Sequence, residues 1–237
     1  MKKISLSIII VFVVVFGIQA ITFALSDVVQ IKLRQHIFLI PKQNALERES
    51  IMPDWLLNMS GLDDGSNTTL FLFDDQEVKA SVPSYQTASD NQFKDDLEVL
   101  MAALIEREIN DYQDPRIYAE LVNLWKGTGS YKNRKVESAE IPGWYKVYRQ
   151  IEYPNSWVLV NQLPDPDKPI PSQVSDFWVA TCLMQGMQGK RGGRCTTHEI
   201  MDDIFLEFSV SDYNLPVLDE VRAYIKTHVQ SWKVASE

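Results

Sequence analysis

The sequence predicts an α+β chain, an antiparallel β-sheet with helices packed on one side, preceded by an N-terminal membrane segment. Three observations carry the prediction. The chain has 237 residues, 45% of them hydrophobic, enough to close a core and to exclude a disordered or fibrous chain. Its second half contains successive stretches of β-branched, aromatic and alternating residues joined by short turns, the pattern of an antiparallel sheet. Two apolar stripes at helical spacing accompany them, one near the middle and one at the end.

The first element is membrane-directed. Lys2 and Lys3 precede Ile4 to Leu25, 22 residues without a charge. That length suits a retained spanning helix, for which about 20 residues are needed, and exceeds the apolar region of about 7 to 15 residues in a secretory signal. Thr22-Phe23-Ala24 keeps the cleaved alternative open, with a soluble periplasmic product. Basic residues at the start hold the N-terminus in the cytoplasm and send the remainder outward, which in a bacterium is the periplasm. Residues 1–26 are thus expected to be an anchor in the inner membrane, through residues 4–25, or a signal segment.

Residues 27–68 read as a linker and lead-in strand, with apolar clusters at Ile37 to Ile40 and Trp55 to Leu57 interrupted by Pro41 and Pro53. Residues 69–142 read as a hairpin followed by a helical pair. The hairpin is Thr69 to Phe73, a turn at Asp74-Asp75-Gln76, and Glu77 to Val82. In the first helix Leu97, Leu100, Met101, Leu104 and Ile105 fall on one face, and Ser89 with Gln92 supplies a capping box. The second follows Pro115, carries Ile117, Leu121 and Leu124, and stops at Gly127-Thr128-Gly129.

Residues 143–234 read as the sheet and its covering helix. From Tyr145 to Tyr153 the pattern has period two, with Trp144 and Tyr148 on one face and Tyr145 and Val147 on the other. Pro154-Asn155-Ser156 reverses the chain into Trp157 to Asn161. Ser175 to Leu183 and Asp203 to Val210 give two further strands. A last helix, Leu215 to Trp232, has Pro216 in its first turn and aligns Leu218, Val221, Ile225, Val229 and Trp232.

Charge narrows the function. With 23 basic and 32 acidic residues the net charge is -9, and without Lys2 and Lys3 the exported part carries about -11. Nucleic acid is therefore excluded as a partner, and docking on anionic head groups is disfavoured. The nucleophile elbow, His-Glu-x-x-His, the phosphate loop and the dinucleotide fingerprint are absent, so no catalytic, cofactor-binding or metal residues are predicted. His198 with Glu199, Asp202 and Asp203 is the one grouping that an unrecognised hydrolase would use. Gly186 to Gly193 is glycine-rich but leads into no predicted helix, so it reads as a hairpin tip.

Cys182 and Cys195 are the only cysteines, and in an oxidising compartment a disulfide between them is expected. Trp144, Tyr148 and Trp178 would form an exposed aromatic face suited to a protein partner, or else belong to a core on either side of the sheet.

The order of these features resembles a family. An N-terminal membrane segment and an acidic exported domain precede Trp178-Val-Ala-Thr-Cys182, Arg194-Cys195-Thr-Thr, Phe205-Leu-Glu-Phe208 and a closing helix ending Gln230-Ser-Trp232. From Trp144 to Trp232 the chain resembles periplasmic immunity proteins that protect bacteria from type VI secretion effectors, phospholipase effectors in particular. It departs from many of them in lacking a lipobox and a duplicated domain. The resemblance implies a non-enzymatic inhibitor that binds a secreted effector protein stoichiometrically and occludes it. Gln185, Lys190, Arg191 and Arg194 on the hairpin, with Trp144, Tyr148 and Trp178, are the expected contacts. An envelope assembly or sensory binding module held at the inner membrane is the alternative.

Overall fold

The computed structural model describes residues 27–46, 68–90, 98–106, 115–171, 176–185 and 192–234. The predicted membrane segment, residues 1–26, lies outside them. Among the described residues no helix is long and apolar enough to cross a membrane.

Among the described residues ten strands form two sheets. β1 (Val28–Leu33) and β2 (His36–Pro41) make a hairpin of their own. The main sheet is antiparallel and contains β3 (Thr68–Asp74), β4 (Val99–Ile105), β5 (Lys135–Ser138), β6 (Tyr145–Tyr148), β7 (Ser156–Val160), β8 (Trp178–Gln185), β9 (Gly192–Met201) and β10 (Ile204–Ser211). Their order is β3-β4-β10-β9-β8-β7-β6-β5. The described residues also form the α-helices α1 (Asp75–Ser81), α2 (Pro115–Lys126) and α3 (Leu218–Trp232). The α+β class and the antiparallel sheet are as the sequence predicts.

The helices, however, lie on both faces. Leu218, Val221, Ile225, Val229 and Trp232 of α3 are buried with Phe71, Phe73, Leu100, Leu104, Leu159 and Phe208. Trp232 stacks on Phe73 at 5.7 Å and meets Phe71 edge-on at 5.3 Å. On the other face Leu121, Leu124 and Trp125 of α2 pack with Val147, Val160 and Phe177. Alternation along β6 and β7 assigns the faces, because Val147 and Val160 point to α2 while Tyr148, Trp157 and Leu159 point to the α3 side.

Four sequence predictions are corrected. Of the stretch predicted as the first helix, Leu97 lies outside the described residues and Val99–Ile105 is a strand between β3 and β10. It is buried on both faces, Leu100 and Leu104 on one and Ala103 and Ile105 on the other. A seven-residue apolar run with two buried faces satisfies helical spacing by composition alone. Of its proposed cap, Gln92 lies outside the described residues, and the Ser89 hydroxyl sits 2.9 Å from that of Thr87. Among the described residues no helix pairs with α2 ahead of β5, although α2 stands where predicted.

Glu77 to Val82 is not the second strand of a hairpin but the body of α1. The Asp74 carboxylate accepts the Gln76 N–H at 2.8 Å and the Glu77 N–H at 3.4 Å, so Asp74 is a helix cap rather than a turn residue. The strand predicted to reach Tyr153 ends at Tyr148 and passes into a 3-10 turn, Gln150–Glu152. At the far end a 3-10 turn, Asp212–Val217, takes up Pro216 before α3 begins at Leu218.

Candidate functional site

The disulfide Cys182–Cys195 joins β8 and β9 at residues directly opposite in the ladder, with Cα atoms 4.0 Å apart. Both cysteines are fully buried on the α3 side. The ladder continues outward through Leu183↔Arg194, Met184↔Gly193 and Gln185↔Gly192. Residues 186–191, which include Lys190 and Arg191, lie outside the described residues, as does the Gln185 side chain. β8 and β9 are consecutive antiparallel partners, and the disulfide fixes the base of the hairpin they form.

That base is packed closely. A Cβ at Gly193 would stand 2.7 Å from the Asp212 carboxylate and 2.7 Å from the Trp157 ring, so only glycine fits there. The Asp212 carboxylate accepts the backbone N–H groups of Gly193 and Tyr213, while Lys146 attracts it and Glu140 repels it. Burial outweighs the favourable contacts and raises its pKa above the ordinary carboxylate range. Asp75, at the start of α1, is 5% exposed and receives the Tyr85 hydroxyl and the Ala88 N–H, each at 2.9 Å. Burial raises this carboxyl as well, against those two hydrogen bonds and the Arg194 charge, and it raises the Tyr85 phenol. Asn214 completes the same end of the sheet by accepting the Gln86 N–H at 2.8 Å and donating to the Gln86 carbonyl at 2.9 Å.

The predicted aromatic face is not one surface. Tyr148 is buried on the α3 side against Trp157 and Tyr153, ring centroids 5.9 and 5.0 Å away. Trp144 is partly buried and packs against the same core. Trp178 points to the opposite face, where it packs against the α2 cluster and stacks on His198 at 4.4 Å. A register shift in the β7–β8 pairing at Leu159/Val160 turns Trp178 to the face opposite Ala180 and Cys182, and core packing accounts for the aromatic character of all three residues. Arg194 is half-buried at the hairpin base.

Three apolar side chains, which the sequence reading did not single out, are exposed at this end. Ile151 is 89% exposed, Leu183 43% and Tyr153 42%. The turn carrying Ile151 and Tyr153 is tied to β8, since the Met184 N–H donates to the Asn155 carbonyl at 2.7 Å. It is braced internally by Arg149, which pairs with Glu120 and Glu152 and lies over the Tyr131 ring at 5.2 Å. Alternation gives no signal for such residues, because they stand on turns or on the solvent side of a strand.

The grouping His198, Glu199, Asp202 and Asp203 disperses. His198 stacks on Trp178, and Glu199 pairs with Lys226 and Arg222 of α3 on the opposite face. Asp202 pairs with Lys233, while Asp203 receives His36 at 2.6 Å and lies 3.9 Å from Arg34. Each of the last three residues ties two segments of the fold together. His228 sits beside the α3 stripe, its Nδ1 2.9 Å from the Tyr224 carbonyl and its ring edge-on to Phe73. Among the described residues no cluster of three His, Cys, Asp or Glu side chains has metal-binding geometry.

No family model, curated protein or solved structure matches the chain.

Proposed function

We propose that this chain is a periplasmic immunity protein, held at the inner membrane by its N-terminal segment, that binds and neutralises a toxic secreted effector by stoichiometric occlusion. A lipase-type effector of a type VI secretion system is the partner that the resemblance implies. The observation that carries the binding role is the disulfide-fixed base of the β8–β9 hairpin beside exposed Leu183, Ile151 and Tyr153. A braced projection loses little conformational entropy on association, and apolar side chains presented from it gain from burial in a partner. Gln185, Lys190, Arg191 and Arg194 contribute hydrogen-bonding groups and positive charge along the same stretch of sequence. The acidic remainder of the domain favours encounter with a basic effector.

The test is co-purification of the tagged full-length chain from its own bacterium, followed by identification of any protein recovered in equimolar amount. Support requires a secreted hydrolase whose activity falls to background at a one-to-one ratio and returns when Leu183 and Ile151 are both changed to Glu. An equimolar partner whose activity is untouched in the complex would replace immunity with the envelope-assembly reading. Recovery of no equimolar partner from cells that make the folded, oxidised protein would remove the proposal.

A further inference from the structure

The main sheet has two edges, and they are treated differently. The β3 edge is covered by the chain itself: the Leu72 N–H donates to the Asn44 carbonyl at 2.8 Å, the Leu46 N–H donates to the Leu70 carbonyl at 3.3 Å, and Ala45 bridges Phe71. The opposite edge is β5, which pairs on one side with β6, and no other described strand pairs with it.

The hydrogen-bond phase of β5 identifies its outward groups. The Ala139 N–H donates to the Trp144 carbonyl at 2.9 Å, and the β5–β6 register runs Lys135↔Tyr148, Val136↔Val147, Glu137↔Lys146 and Ser138↔Tyr145. Bonding alternates along an antiparallel pair, so Lys135 and Glu137 direct their backbone groups to β6. Val136 and Ser138 direct theirs away from the sheet. No backbone group of a described residue bonds to the outward side of Val136.

Edge strands are usually guarded by proline or by an unopposed charge. β5 reads Lys-Val-Glu-Ser, without proline, and its two charges compensate each other, with Lys135 Nζ 2.6 Å from the Glu137 carboxylate. The same two charges make the edge self-complementary. If two copies of β5 lie antiparallel with the twofold axis at Val136, the outward Val136 N–H and carbonyl of each copy meet those of the other. Lys135 then faces Glu137 of the second copy, twice. Opposite charges directly across an antiparallel pair stabilise it, and like charges there destabilise it. Exposed Ile151 and Tyr153 flank the Lys135 end and add apolar surface beside the ladder.

We propose that β5 is a homodimerisation edge, joining the main sheets of two copies of this chain through an antiparallel β5–β5 pair centred on Val136. The interface is isologous and closed, so it yields a dimer and no filament. It shares Ile151 and Tyr153 with the surface beside the β8–β9 hairpin, but its argument does not depend on the immunity reading.

The test is sedimentation velocity of the full-length chain in detergent, over protein concentrations reaching on the order of 100 µM. Wild-type protein is expected to be dimeric in the upper part of that range. K135E and E137K each place like charges opposite one another at both symmetry-related positions, and each is expected to weaken the dimer by roughly tenfold or more. The double variant K135E/E137K restores opposite charges across the twofold and is expected to recover wild-type association. V136P removes the outward N–H without touching a β5–β6 bond and is expected to leave a folded monomer by circular dichroism. A wild-type protein that stays monomeric throughout overturns the proposal. So does a dimer indifferent to both single reversals, or a double variant no better than the singles.

Discussion

Replacing both cysteines by alanine tests how the hairpin base is held. Cys182 and Cys195 are separated by 13 positions, and closing a loop of that size restricts the unfolded chain by about 3 kcal/mol in the chain-entropy model. Alanine leaves no polar atom in the fully buried site, and the β8–β9 ladder on either side continues to align the strands. C182A/C195A is therefore expected to keep its fold and lose about 3 kcal/mol, plus a smaller contribution from the vacated sulfur volume. With a urea slope of about 2 kcal/mol/M, the midpoint should fall by about 1.5 M. The assay is urea unfolding followed by tryptophan fluorescence and by far-UV circular dichroism, with coincident transitions required before a free energy is taken. A midpoint within about 0.3 M of wild type would refute the reasoning, because the disulfide would then add nothing that the ladder does not already supply. Loss of the cooperative transition would refute it from the other side, by making the disulfide a condition of folding.

Gly193→Ala should destabilise by about 1 to 3 kcal/mol in the same assay, since its Cβ meets Trp157 and Asp212 at 2.7 Å and forces both side chains to shift. Asp212 gives a pH prediction whose sign is fixed by its raised pKa. The folded chain takes up this proton at a higher pH than the unfolded chain, so the group's contribution to stability grows as pH falls through the folded pKa and is lost as pH rises above it. Stability measured by urea unfolding as pH falls from neutrality toward the ordinary carboxyl value of 3.8 should therefore improve more in wild type than in Asp212→Asn, and equal slopes would contradict the assignment. Trp232→Ala removes the ring stacked on Phe73 and should cost about 3 to 5 kcal/mol, read as a fall in melting temperature; a loss under about 1 kcal/mol would mean that α3 is not seated on Phe71 and Phe73.

The elements that the sequence made legible are those in which one face is apolar and the other is not. β10 alternates cleanly, with Ile204, Leu206, Phe208 and Val210 buried on one side, and α3 shows its stripe from Leu218 to Trp232. β4 failed because Val99 to Ile105 is apolar at every position, and periodicity carries no information where both faces are covered. α1 is masked in the sequence because Asp74-Asp75-Gln76 has the composition of a turn, although Asp74 with Glu77 has the spacing of a capping box. β9 went unread because Gly192, Gly193, Arg194, His198 and Glu199 give it little strand character, and its partners β8 and β10 hold it in place. The disulfide was legible from composition and compartment. The aromatic face was not, since assigning Trp144, Tyr148 and Trp178 to one side requires knowing where strands end and which residues oppose one another.

The two ends of the described chain are also joined. Phe38 of β2 bridges Lys233, the Val234 N–H donates to the Ile37 carbonyl at 2.8 Å, and the Lys233 ammonium reaches Asp202 in the β9–β10 turn. The β1–β2 hairpin, the first element after residue 27, is thus latched by the last few residues after α3. Shortening the C-terminus beyond Ser231 would accordingly act as an N-terminal lesion, releasing the segment through which any tether at residues 1–26 pulls on the domain. A tag or fusion placed immediately after Trp232 would disturb the same latch, whereas one placed after Glu237 leaves it intact.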